Sequence, residues 1–157
     1  MQKISYCLWF DGEAEEAAKF YFSVFRNSRI VSTARYPEGS PGTAGSVMTV
    51  EFILKGERFL ALNGGPQYEF TPAISFVVTC DTQEEIDDLW QKLSLDGQEV
   101  QCGWLTDRFG VSWQVVPAAL GEMMSSNDRA AAQRAFSAML GMKKLDIAAL
   151  RRAYEHA

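Results

Sequence analysis

The sequence is short of most of what catalysis and partner recognition draw on. It holds one histidine, His156, one residue from the end of the sequence, so a second imidazole for a metal cage or a histidine relay is missing. Basic residues are outnumbered 15 to 20 by acidic ones, a formal net charge of −5. No basic cluster is longer than Lys143-Lys144 or Arg151-Arg152, which leaves no electrostatic footprint for nucleic acid. No apolar run nears the roughly 20 residues a membrane span needs, and no secretory leader opens the sequence. Cysteine is scarce and odd in number: Cys7, Cys80 and Cys102. Two of them lie inside apolar runs, so the expectation is reduced thiols in a cytoplasmic protein rather than a disulfide framework.

What is present is a core. Hydrophobic residues make up 47% of the 157 and aromatic residues 12%, enough for one domain or two small fused modules. The chain also repeats itself at an offset of 70 residues. ISYCLWFDGEAEEA from Ile4 has the grammar of ISFVVTCDTQEEID from Ile74: an apolar strand, an aspartate, then an acidic helix start. A period near half the chain, with strand material after each helix, predicts two copies of one βα-plus-sheet module facing each other across a cleft.

The pattern along the chain fills in the modules. A strand over 3–10 precedes a helix over 13–26 capped by Asp11, with Ala14, Ala17, Ala18, Tyr21, Phe22 and Phe25 at helical spacing. Strands follow at 29–36, 46–54 and 58–62, the last two as a hairpin around Lys55-Gly56-Glu57. Pro37 to Gly42 is a loop. In the second half a strand over 73–80 leads to a helix ending near Leu95, capped by Asp81 or Thr82, with Ile86, Leu89, Trp90 and Leu93 on one face. Strands over 99–106 and 111–116 flank the Asp107–Gly110 turn. Amphipathic helices over 128–140 and 146–154 close the sequence. Their apolar faces (Ala132, Phe136, Met139, Leu140; Ile147, Leu150, Tyr154) are expected to pack on the parent domain or a partner subunit.

Leu8-Trp9-Phe10-Asp11-Gly12, Ala14-Glu15-Glu16-Ala17, Phe20-Tyr21, Tyr36-Pro37-Glu38-Gly39, Gly45 to Phe52, Phe59 to Gly65, Gln101 to Leu105 and Asp107 to Val115 stand in an order and spacing that resembles a known family. The resemblance is to the vicinal oxygen chelate superfamily, which includes glyoxalase I, extradiol dioxygenases and fosfomycin- and bleomycin-resistance proteins. It is closest to the PhnB-like branch often labelled demethylubiquinone 3-methyltransferase. The resemblance implies an α+β fold of two βαβββ modules forming a curved mixed sheet with a central cleft, plus C-terminal helices. It also implies a homodimer.

Metal-using members of that superfamily hold a divalent ion with His and Glu on the inner strands. By resemblance the ligand positions here are about Tyr6, Ser75 or Phe76, Gln114, and a residue between Leu60 and Asn63. None is a histidine or a carboxylate, and Tyr, Ser and Gln are weak donors. No metal and no cofactor are therefore expected. Cys7 and Cys80 lie on equivalent strands but out of step, against paired ligation. A methyl-donor site needs a glycine turn between a strand and a helix, and Asn63-Gly64-Gly65-Pro66 leads instead into an extended linker. Ser5, Ser75 and Ser112 have no histidine to activate them, and Cys102 near Arg108 reads as a structural thiol.

The expected organisation is residues 1–66 as the first module, 67–120 as the second and 121–157 as a helical extension, in one compact domain. Tyr6, Trp9, Glu51, Asn63, Ser75, Trp104 and Gln114 are the candidate ligand-binding residues. Trp113 and Gln114 alternate along a strand and cannot share a face. The leading expectation is a protein that binds an unidentified small molecule. The alternatives are a lyase, transferase or isomerase-type enzyme of the superfamily acting on a small substrate in the cleft through Glu51 or Tyr6, with or without a non-standard metal, and a structural or regulatory dimer whose cleft is filled by its own side chains.

Overall fold

The structure is a computed structural model, describes residues 3–157, and divides into two units, residues 1–70 and 71–157. Each carries the order βαβββ. The first runs β1 (Tyr6–Phe10), α1 (Ala14–Val24), β2 (Ser28–Arg35), β3 (Val47–Leu54) and β4 (Glu57–Asn63). The second runs β5 (Ser75–Cys80), α2 (Gln83–Ser94), β6 (Gln98–Glu99), β7 (Trp104–Thr106) and β8 (Ser112–Pro117). The α+β architecture and the doubled module are as expected. Sheet 1 is ordered β1-β4-β3-β2 and sheet 2 β5-β8-β7-β6. In each, the first and last strands of the module pair in parallel and the others antiparallel. The helix makes the crossover that a parallel pair requires.

Strand alternation assigns a covered and an open face to each sheet. In sheet 1, Leu8, Phe10, Val50, Phe52, Phe59 and Ala61 are buried and share the face on which α1 packs. Phe52 stacks on Phe59 at 5.3 Å and on Tyr21 of α1 at 6.1 Å between ring centroids. Helix α1 buries Ala14, Ala17, Ala18, Tyr21 and Val24, whereas Phe22, expected on that stripe, is exposed. Asp11 does not cap α1. The Asn63 side chain accepts from Ala14 N at 2.9 Å across 49 residues, after Gly12 at φ 88° has turned the chain. In α2 the cap is local: Thr82 accepts from Glu85 N at 3.2 Å, and the Glu85 carboxylate accepts from Asp81 N at 3.1 Å, a variant of the capping box.

The β3–β4 hairpin turns on Lys55 and Gly56 at φ 48° and 87°, the type I′ geometry that matches strand twist. The equivalent β7–β8 connection is built on Asp107. Its carboxylate is 2% exposed and accepts from Phe109 N, Val111 N and the Trp113 indole at 2.9–3.0 Å.

The strand expected over 99–106 is broken. Cys102 and Gly103 sit at φ 60° and 85°, and their N–H groups donate to Met142 O at 2.7 Å and Lys143 O at 2.8 Å. These partners lie some forty residues onward, so local sequence does not reveal the break. A helix not expected from the sequence, α3 (Ala118–Met124), follows Pro117, before α4 (Arg129–Leu140) and α5 (Ile147–Glu155). Asp128 and Asp146 cap the last two. Helix α4 buries Ala131, Ala132 and Ala135 and packs Met139 on the core of the extension; of the expected face, Ala132 and Met139 are covered, whereas Phe136 and Leu140 are exposed. Leu120, Met123, Ala135, Leu145 and Leu150 form the core of this extension. It is fastened to α2 by Gln83, which donates to Leu145 O at 3.0 Å and accepts from Ile147 N at 2.8 Å, and by a Lys144–Asp87 ion pair at 2.9 Å.

Candidate functional site

The seven candidate residues fall into three groups. Two belong to the framework. Tyr6 alternates with the buried Leu8 and Phe10, so it lies on the α1 side and packs on Phe59 at 5.1 Å. Its neighbour Cys7 occupies the open face of β1, a shift of one residue from the expected position. Asn63 is also on the α1 side; besides capping that helix its side chain donates to Val47 O at 3.1 Å, and its main-chain carbonyl oxygen accepts the Tyr36 hydroxyl. Both ends of its amide are used by the fold.

The open face of sheet 1 carries Trp9 and Glu51. Trp9 is fastened: its indole donates to Gly65 O at 2.9 Å and meets Tyr68 edge-on at 4.9 Å. A Cβ on Gly64 would run into the indole. Glu51 lies in one cross-strand row with Cys7, Leu60 and Ser32. It pairs with Arg58 at 2.5 Å and accepts from the Ser32 hydroxyl at 3.4 Å. Partial burial pushes the Cys7 thiol up from its ordinary value, so it is protonated at neutral pH and a poor nucleophile.

The open face of sheet 2 brings the other three together. Ser75, Gln114 and Trp104 are all half-buried, and Gln114 pairs with both Val77 and Trp104 across the strands. The Gln114 amide nitrogen donates to the Ser75 hydroxyl oxygen at 3.0 Å. That leaves the Gln114 carbonyl oxygen and the Ser75 hydroxyl proton without a partner among the described residues. A neutral acceptor, a neutral donor and an indole face thus adjoin one another, with the exposed Val77 beside them. Trp113 alternates to the covered side and is buried against Phe76 at 5.3 Å. Val77, which the sequence reading passed over, is found by applying the 70-residue repeat to Cys7.

The metal implied by the resemblance does not suit these side chains. The matching open-face positions on β1, β5 and β8 are Cys7, Val77 and Gln114: one protonated thiol, one aliphatic group and one neutral amide. Among the described residues no three His, Cys, Asp or Glu side chains gather where an ion would be held. Gly64-Gly65-Pro66 leads into no helix, so it offers no helix N-terminus to a methyl donor.

A family model described as 3-demethylubiquinone-9 3-methyltransferase matches residues 2–116. The chain belongs to that family. A solved PhnB protein from Bacillus cereus, described under the same methyltransferase name, is 43% identical over 74% of this chain and 100% of its own, with a TM-score of 0.69. A structure from Pseudomonas aeruginosa is 21% identical over 74% and 98% of the two chains, at TM-score 0.62. The fosfomycin resistance protein FosX from Mesorhizobium loti matches at 13% identity over 80% and 100%, TM-score 0.55. The last two likenesses are of fold alone: the chain shares its two-module fold with these proteins. No curated protein matches the sequence. Residues 117–157, with α3, α4 and α5, lie beyond the stretch that the family model matches.

Proposed function

We propose that this family member binds a small, neutral, partly aromatic molecule on the open face of sheet 2, without a metal. The observation that carries the reading is the Ser75–Gln114–Trp104 group. It offers one hydrogen-bond donor, one acceptor and a stacking surface in a half-buried setting where an unpaired charge would be penalised. Tyr6 and Asn63 are assigned to the framework. Trp9 and Glu51 stand on the open face of sheet 1. The methyltransferase description is not adopted as the activity, since its donor has no strand–glycine–helix cradle here.

We further propose a cytoplasmic homodimer. Ile4 and Ile74, equivalent in the repeat, are 77% and 74% exposed ahead of β1 and β5. Those two strands are the outer strands of their sheets, and an exposed apolar edge is a ready template for pairing with another chain. The three free thiols suit a reducing compartment, and no described helix is long and apolar enough to cross a membrane.

Native mass spectrometry of the purified protein, before and after Ni²⁺, Fe²⁺, Mn²⁺ and Zn²⁺, tests the reading. A metal-free dimer carrying a neutral organic mass, lost in Gln114→Ala, is the expected result. One tightly held ion per chain would overturn the metal-free site. A second reading, an enzyme using Glu51 as acid or base, is favoured by the Glu51–Arg58 pair standing on the open face of sheet 1. Turnover of aldehydes or epoxides that vanishes in Glu51→Gln would establish it.

A further inference from the structure

The open face of sheet 2 does not stop at Gln114. Two residues further along each strand, about 7 Å away at strand rise, it continues as Thr79 and Val116, which are paired across β5 and β8. These two form one wall of a pocket of about 560 Å³. The other wall is helix α3, through Leu120, Gly121 and Met124, with Glu122 also on the lining. The lining is mainly apolar, and Val116 and Met124 pack on the core of the C-terminal extension. Helix α3 lies wholly beyond the family match, which ends at residue 116. One wall of this pocket is therefore supplied by a part of the chain that the match leaves out.

We infer that the ligand is amphipathic: a neutral polar ring system seated at Ser75, Gln114 and Trp104, carrying a short aliphatic chain that runs along β8 into the pocket under α3. The inference rests on the proposed binding face. It adds the chain and its direction. Continuity along the same two strands ties pocket and polar group to a single ligand, and the pocket has no charged group suited to a separate anionic one. The Glu122 carboxylate at the lining disfavours a chain ending in an acid.

A homologous series tests this: 4-alkoxybenzamides from methoxy to hexyloxy, with binding read by tryptophan fluorescence on the full chain. Affinity should rise by about two- to fourfold per added methylene, the increment for burying one in an apolar setting, and then level off as the pocket fills. Gly121→Leu supplies the control. A Cβ at Gly121 meets nothing within 4 Å, so the added side chain projects into open pocket without straining the fold. It should flatten the dependence on chain length while leaving the methoxy compound's affinity within twofold. Methoxy binding with no gain on lengthening in the parent protein would overturn the aliphatic pocket and leave the polar site standing. Failure of every member, methoxy included, would overturn both.

Discussion

The two modules share one topology and even one strand order, yet their open faces carry opposite chemistry. Cross-strand pairing makes Cys7, Leu60 and Glu51 of sheet 1 the counterparts of Val77, Gln114 and Trp104 of sheet 2. One row centres on an ion pair, the other on a neutral amide and an indole. The covered faces, by contrast, solve the same packing problem with interchangeable apolar side chains. The repeat therefore constrains what faces the helix and leaves the open face free to diverge. Where a duplicated module differs from its twin at equivalent open-face positions, the difference marks candidate function more sharply than either module does alone.

The modules also differ in how they hold the same turn and the same helix start, and substitutions can break that contrast. The largest effect is expected at Asp107. Asp107→Ala strands three donors in the β7–β8 turn and should cost about 3–5 kcal/mol, each unpaired buried group being worth about 1–3 kcal/mol. At the equivalent turn of module 1, Gly56→Ala should cost only about 1–2 kcal/mol, the penalty of a Cβ at positive φ. Urea unfolding of both variants decides; equal losses would mean the two turns are held alike.

Next come the helix caps. Thr82→Ala should cost about 1 kcal/mol, as local caps do. Asn63→Ala should cost more, about 2 kcal/mol, because it also removes the partner of Val47 O. If Asn63→Ala proves the milder change, its bridge between β4, α1 and β3 is dispensable.

The charged row of sheet 1 should matter little to stability. Glu51→Gln is expected to change it by less than about 1 kcal/mol, since the Arg58 partner is about half exposed and such pairs are weak. A larger loss would show the pair to be part of the framework rather than an available surface. The smallest effects are titrations. With its pKa raised, Cys7 should react with iodoacetamide at pH 8 more slowly than a free cysteine does; a faster reaction would mark it as an activated thiol. Asp87, held below the usual carboxylate range by hydrogen bonds from Gln83 and Lys144, favours folding at any pH above its unfolded value. That contribution fades as pH falls through its lowered folded value, so the fastening of the extension to α2 should loosen only in strong acid. Amide exchange at Cys102 and Gly103, followed against pH, would report it.

Much of this was legible in the sequence because it is local or periodic. The 70-residue repeat, the hairpin around Lys55-Gly56, the Thr82 cap and the Asp128 and Asp146 helix starts all announce themselves within a few residues. The misses have three causes: partners far along the chain, weak hydrophobic signal and ambiguous strand register. Asn63 reaches α1 across 49 residues, and the 142–143 carbonyls break the strand before Trp104 from some forty residues away. Buried alanines on α4 carry too little hydrophobic signal to outweigh Phe136 and Leu140. At the site, Tyr6 was placed one residue out of register with Cys7. Both strand positions are apolar enough to face either way, and only the pairing with Phe59 and Leu60 separates them.

The bonds from Cys102 and Gly103 to Met142 and Lys143 also bear on the order in which the protein is made. By residue 63 every strand of sheet 1 has been synthesised. Sheet 2 has all its strands by residue 117, yet the turn that presents Trp104 lacks its acceptors until the chain beyond residue 143 has left the ribosome. At the usual pace of synthesis, about 5–20 residues per second, that is a wait of seconds in which two amides stand without their acceptors. The extension thus acts as a timer, separating the moment module 2 is complete in sequence from the moment its binding face is complete in shape.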